Sequence, residues 1–267
     1  MRLLFFMFKF HYHTSKQMSS IQKHLQHIQN FFSRNHPYKS PDFLETNNMK
    51  TPEIYLEPKQ RMEKIIELLE KQYPDAKTAL HYSNPLEILV ATMLSAQTTD
   101  VTVNMVTKNL FKKYHTPEDY ANADIKELEQ YIHSTGFYHN KARNLQNCCE
   151  LLIEKFDSQV PKTMEELLEL PGVARKTANI VLYNAYGTVA GIAVDTHVRR
   201  LTDRLGLTQQ KDQDKIEQAL MKITPKPKWM EVTDLLIFHG RQVCMAKKPK
   251  CEACLLNKIC PSAFTFG

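Results

Sequence analysis

Glycine is scarce in this chain of 267 residues, seven in all. No stretch alternates apolar and polar residues over the length of a strand. Together these features exclude a sheet-built domain and leave helix as the repeating element. No apolar run reaches the ~18–20 residues that a membrane helix needs. Cysteine is too sparse for a disulfide scaffold: there are six, four of them crowded at one end. That distribution suits metal binding in a reducing compartment. No internal repeat or low-complexity linker interrupts the chain. The excess of positive charge is modest, +6, and permits nucleic acid as a partner without requiring it. Hydrophobic residues at 42% and charged residues at 24% match a soluble globular protein with ample core.

The first ten residues, MRLLFFMFKF, mimic a signal peptide. Lys9 breaks the apolar run, however, and no A-x-A cleavage site follows. The scarcity of arginine there makes a mitochondrial transit peptide a weaker reading. Residues 1–56 read as an extension without period. Met49 is a candidate initiator, because a well-patterned chain begins soon after it.

From there the sequence reads as helix after helix. Met62, Ile65, Ile66 and Leu69 share one face of a helix over 59–72. Asn84-Pro85 and Thr116-Pro117 are helix starts, each a cap followed by a proline at the first helical position. The first of them opens LEILVATMLSA, which reads as a buried central helix. Asp124 opens a helix that stops near Gly136. Residues 141–156 carry Leu145, Cys149, Leu152, Ile153 and Phe156 at helical spacing, which makes Cys148 and Cys149 small core residues. Thr163 and Glu166 fit a capping box. After Pro171-Gly172 a long helix runs through VARKTANIVLYNAY and closes at Gly187. Asp195 caps THVRRLTDRLG, and further helices lie near 212–222 and 228–239. The expected class is all-α.

Three stretches carry chemistry. In LPGVARKTANIVL, residues 170–182, a turn passes straight into a helix. The first backbone N–H groups of that helix have no intrahelical partner. With the positive end of the helix dipole behind them, they form a site for a phosphate. Arg175 and Lys176 stand beside it. In VDTHVRR, residues 194–200, Asp195 lies between an apolar segment and a basic helix, rigidly placed if it caps that helix. In VCMAKKPKCEACLLNKICP, residues 243–261, four cysteines are separated by six, two and five residues. Zinc and an iron–sulfur cluster both take four thiolates. A single C-x2-C knuckle leans toward the cluster, and the spacing leaves both standing. Lys247, Lys248 and Lys250, confined between two of the thiols, suggest a basic loop that grips phosphates.

These stretches resemble the endonuclease III family of DNA repair glycosylases. LPGVARKTANIVL looks like the family's helix-hairpin-helix, VDTHVRR like its catalytic aspartate loop, and the cysteine tail like its iron–sulfur loop. LSAQTTD, residues 94–100, and STGFYHNKARNL, residues 134–145, are similar to further family segments, in the same order. The resemblance covers roughly residues 57–263. It implies a two-lobed helical fold: a six-helix barrel lobe over 78–187 with the hairpin, and a cluster lobe built from 57–77 and 188–267. It implies a [4Fe-4S] cluster on Cys244, Cys251, Cys254 and Cys260. It implies a monomer that works in the cytoplasm, at the nucleoid if the host is bacterial, on duplex DNA carrying damaged bases or abasic sites.

The resemblance also assigns roles. Lys176 is the expected nucleophile of a bifunctional glycosylase and abasic-site lyase for oxidised pyrimidines, and Asp195 is its partner carboxylate. Desolvation and the helix N-terminus disfavour an ammonium at Lys176. Gln97 and Phe137 are expected to fill the hole left by the extruded base. Gly172 and Ala174 offer N–H groups to a phosphate, although glycine is common in the family where Ala174 stands. His197 is expected to touch the DNA backbone. Glycosylases for adenine or thymine mismatches look similar over the same motifs. The first kind lacks the lysine and carries a further C-terminal domain; the second usually lacks the lysine. A non-catalytic DNA-binding protein would leave Lys176 and Asp195 idle.

Overall fold

The structure is a computed structural model that describes residues 56–266. The readings of MRLLFFMFKF and Met49 lie outside the described residues. Eleven α-helices occur among those described: α1 Pro58–Gln72, α2 Pro85–Leu94, α3 Asp100–Lys113, α4 Pro117–Ala121, α5 Ile125–Ile132, α6 Tyr138–Phe156, α7 Met164–Leu167, α8 Arg175–Tyr186, α9 Thr196–Arg204, α10 Gln213–Ile223 and α11 Trp229–Gln242. There is no strand among the described residues, as the scarcity of glycine and of alternation predicts. None of these helices is long and apolar enough to cross a membrane.

The helix starts follow from local chemistry. Asn84 accepts the Glu87 N–H at 3.0 Å ahead of Pro85. Thr116 caps α4 in a reciprocal box with Asp119, ahead of Pro117. Each cap satisfies an amide that the helix itself leaves unpaired. The box expected at Thr163 is only half made. Thr163 accepts the Glu166 N–H, but the Glu166 carboxylate takes the Thr163 hydroxyl at 2.8 Å instead of a backbone N–H.

The buried apolar side chains form two clusters. One gathers residues from Leu80 to Leu182 and centres on α2, in which every residue from Ile88 to Leu94 is buried. Cys148 and Cys149 belong to it. Burial pushes the Cys148 thiol up to about 12 and raises that of Cys149 as well, as befits inert core residues. The other cluster joins Met62, Ile65 and Leu69 of α1 to residues between Ile192 and Ile259. The first and last described helices therefore share a core, with α2–α8 between them in sequence.

Two polar ties connect helices of the different clusters. Arg241 of α11 reaches Asp100 of α3 at 2.8 Å. Arg175 of α8 grips Glu217 of α10 at 2.8 and 3.2 Å, and Asn179 donates to the same carboxylate at 2.7 Å. The Glu217 side chain is only 3% exposed. Gly191 makes room for it, since a Cβ there would stand 2.0 Å from Glu217 Oε1.

Candidate active site and thiol centre

The hairpin turn is tight because Gly172 adopts φ +79°, a conformation that a side chain resists. Val173 donates its N–H to the Leu170 carbonyl at 3.1 Å. The amides of Gly172 and Ala174 find no backbone acceptor among the described residues, and both residues are exposed. Helix α8 starts at Arg175, later than the continuous pattern from Val173 predicts, with Ala174 as its N-cap. Two free amides and a helix N-terminus thus face outward together, the arrangement that binds a phosphate. Arg175 does not join them. Its guanidinium is turned onto buried Glu217, which corrects the reading that places it beside the anion site.

Lys176 stands in the first turn of α8. With Ile180 and Asn184, one helical face onward, it lines a cleft with about 590 Å³ of empty space. Ser95, Asp100, Asp195, Asp234 and Arg241 line the same cleft. Lys176 and Asp195, nineteen positions apart in sequence, are therefore brought together. Asp195 caps α9, its Oδ1 accepting the N–H groups of His197 and Val198, both at 2.8 Å. Its Oδ2 lies 2.9 Å from His197 Nδ1. Burial raises its carboxyl. The bonds from His197 and Val198 and the positive charges of His197 and Lys176 outweigh that, and hold it below the usual carboxylate range. Asp195 is therefore ionised at neutral pH and fixed in direction. His197 is tied to it through Nδ1, which leaves Nε2 for any further partner.

Gln97 and Phe137 occupy two loops at exposed positions, Phe137 being 65% exposed. A core role for Phe137 is thereby removed. Both residues adopt left-handed backbone conformations, φ 54° and 50°, which non-glycine residues hold only when their surroundings enforce it. The enforcing group is Lys141. Its ammonium is buried between the loops and donates to the Leu94 carbonyl at 2.8 Å, to Thr98 Oγ1 at 2.9 Å and to the Thr135 carbonyl at 2.9 Å. Thr98 also donates directly to the Thr135 carbonyl. Burial brings Lys141 down to about 8, so at neutral pH it keeps three protons for its three acceptors. Lys141→Met should strand those acceptors, lowering stability by about 2–4 kcal/mol. It should also free both loop tips. Thermal unfolding, and backbone amide exchange of residues 95–98 and 135–137, measure the two effects.

The four tail thiols face one cavity of about 420 Å³, walled by Leu201, Leu205, Leu256 and the stem of Arg204. Among the described residues, no three His, Cys, Asp or Glu side chains converge closely enough to hold a single metal ion. A zinc ion needs its sulfurs about 2.3 Å from one point. Four thiols around one mostly apolar space can supply the four thiolates that an iron–sulfur cluster takes. Burial pushes the Cys254 thiol up to about 11 and raises that of Cys260, so their thiolates require a cationic partner. The surrounding loop is pinned from α9. Arg204 donates to the Met245 carbonyl at 2.7 Å, to the Ala246 carbonyl at 3.0 Å and to Cys244 Sγ at 3.3 Å. Arg200 donates to the Cys244 carbonyl at 3.0 Å. Lys247, Lys248 and Lys250 are all exposed on this braced loop.

Asp234, Glu217, Lys141 and Arg204 were not singled out from the sequence. Asp234 left one trace, an acidic residue inside the apolar run MEVTDLLIF of α11. Glu217 left none, because its partners are 38 and 42 residues away.

Comparison with known proteins agrees with this geometry. Residues 90–226 match the family model of the HhH-GPD superfamily base excision DNA repair proteins. Residues 244–260 match the iron–sulfur binding domain of endonuclease III. Endonuclease III of Synechocystis sp. is 53% identical over 205 residues, 77% of this chain and 94% of that protein. Two solved structures, each 46% identical, superpose closely. A non-covalent endonuclease III–DNA complex does so with TM-score 0.75 over 79% of this chain and 98% of its own. A trapped endonuclease III–DNA covalent intermediate does so with TM-score 0.76 over 79% and 99%. The hairpin, the cleft and the thiol centre thus have one common explanation: the chain belongs to the endonuclease III family of HhH-GPD base excision DNA repair proteins.

Proposed function

We propose that this base-excision-repair DNA glycosylase and abasic-site lyase removes oxidised pyrimidines from duplex DNA, with Lys176 as nucleophile and Asp195 as its partner carboxylate. The observation that carries the assignment is the shared cleft of Lys176 and Asp195, placed beside the free amides of Gly172 and Ala174. A similar endonuclease III has been trapped covalently on DNA, which supports a nucleophile of the protein.

The damaged nucleotide must leave the stack before any group can reach its sugar. Gln97 and Phe137 fill the space left behind. Gly172, Ala174 and His197, with the loop lysines Lys247, Lys248 and Lys250, hold phosphates. The neutral Lys176 amine attacks C1′, the C1′–N bond breaks, and the base leaves with a proton. Loss of the amine proton and opening of the C1′–O4′ bond give a Schiff base between Lys176 and the sugar. Removal of a 2′ proton expels the 3′ phosphate and cuts the strand. Hydrolysis returns the lysine. Asp195, ionised and immobile, stabilises positive charge on the sugar as the base departs.

Cys244, Cys251, Cys254 and Cys260 hold the [4Fe-4S] cluster, whose contribution is to shape the basic loop. We read the two apolar clusters as the two lobes, 78–187 as a six-helix barrel and 57–77 with 188–267 as the cluster lobe, with DNA across the cleft. The protein acts as a monomer in the cytoplasm, at the nucleoid of a bacterial host. Borohydride trapping on an oligonucleotide duplex with one abasic site tests the reading. Wild-type protein should give a covalent complex and a strand cut 3′ to the site. DNA binding without either product would sink it.

A further inference from the structure

The α11 wall of the cleft contains a carboxyl that the mechanism above does not use. Asp234 projects from α11 on the face that also carries Thr233, Ile237, Phe238 and Arg241, and this whole face lines the cleft that Lys176 also lines. No hydrogen bond or ion pair joins the Asp234 side chain to any described residue. The Asp234 side chain is half-buried at the cleft wall, and its carboxyl is left available to a ligand.

We propose that Asp234 reads the extruded base, pairing its carboxyl with the carbonyl and adjacent ring N–H of a uracil- or thymine-type oxidised pyrimidine. This rests on the substrate class proposed above. An uncharged carboxylic acid offers one donor and one acceptor side by side. The imide edge of such a base offers the complementary acceptor and donor. A carboxylate has acceptors only, so it can bond the N–H but opposes the carbonyl. A cytosine-type base presents an amine donor beside a ring-nitrogen acceptor, which the acid meets equally well with its proton on the other oxygen.

The surroundings keep the acid form available. Burial raises Asp234 to about 7, with Arg241 lowering it and Glu231 raising it from the same helix. From the other walls Lys77, Asp100, Lys176 and Asp195 face the same cleft. The acid form is present below pH 7 and lost above it. Base release through this contact therefore declines as pH rises through 7.

The test uses the full chain, with duplexes carrying 5-hydroxyuracil, 5-hydroxycytosine or a preformed abasic site. Asp234→Ala should lower kcat/KM for release of 5-hydroxyuracil and of 5-hydroxycytosine alike, at least tenfold. Cutting of the preformed abasic site should stay within twofold of wild type, because no base is left to read. Asp234→Asn, which keeps a donor beside an acceptor, should release 5-hydroxyuracil within about threefold of wild type and lose the decline above pH 7. Equal loss of base release and abasic cutting in Asp234→Ala would make the residue structural and overturn the proposal. So would wild-type release by Asp234→Ala, or an Asn variant as slow as the alanine one. If the wild-type protein cuts abasic DNA but releases neither base, the substrate reading falls, and this proposal falls with it.

Discussion

Lys176→Ala is expected to abolish strand cutting and borohydride trapping while leaving the brown cluster chromophore and the fold intact. Removing a covalent nucleophile takes away the pathway itself, so the loss should be roughly 10⁴-fold or more, about 5 kcal/mol of barrier. Stability should barely change. Lys176 is half-buried, makes no hydrogen bond or ion pair among the described residues, and sits in the first turn of α8, where alanine is a better helix former. The cap at Asp195 and the Arg175–Glu217 tie do not depend on Lys176. Single-turnover cutting of an abasic duplex measures the rate, visible absorbance the cluster, and thermal melting the fold. Residual trapping by this variant at a tenth of the wild-type yield would show that another amine is the nucleophile.

Cys244→Ser is expected to act in the opposite way, through the fold. Oxygen is a poor substitute for sulfur toward iron, and one missing ligand leaves the centre under-coordinated against its apolar wall of Leu201, Leu205 and Leu256. A structural metal centre contributes on the order of 10 kcal/mol, against a total stability of ~5–15 kcal/mol for a typical domain. Leu256 and Ile259, at 0% and 1% exposure, lie between the ligands and belong to the second apolar cluster. Loss of the centre therefore reaches that core, including its partners in α1. The protein should come out pale, poorly soluble and low-melting. In the fraction that remains folded, the Arg204 bond to Cys244 Sγ is weakened and the loop of Lys247, Lys248 and Lys250 loses its brace. Three phosphate contacts are then at risk, and the salt slope of DNA binding should flatten by up to about 3. A brown, fully active Cys244→Ser protein would show that Cys244 is not a ligand.

The helical class, most of the element starts and the candidate chemistry were legible along the chain, because they rest on short-range patterns. A cap bonds an amide two or three positions ahead, as Asn84, Thr116 and Asp195 do. The hairpin turn needs one glycine, Gly172, two residues before the cap of its helix. The thiols announce themselves by their separations, and those separations leave the choice between zinc and a cluster open.

Tertiary structure decided what depends on distant partners. It turned Arg175 away from the anion site onto Glu217, 42 residues on. It used Lys141 to hold the loops of Gln97 and Phe137 in left-handed conformations, reaching back 47 residues to Leu94. It brought Asp234 into the cleft of Lys176 and Asp195, and gathered the four thiols around one space. The physical reason is the same in each case. Capping and periodicity are local and appear in any window of a few residues. The direction in which a buried charge points depends on which distant acceptor lies close by, and only the packed chain determines that.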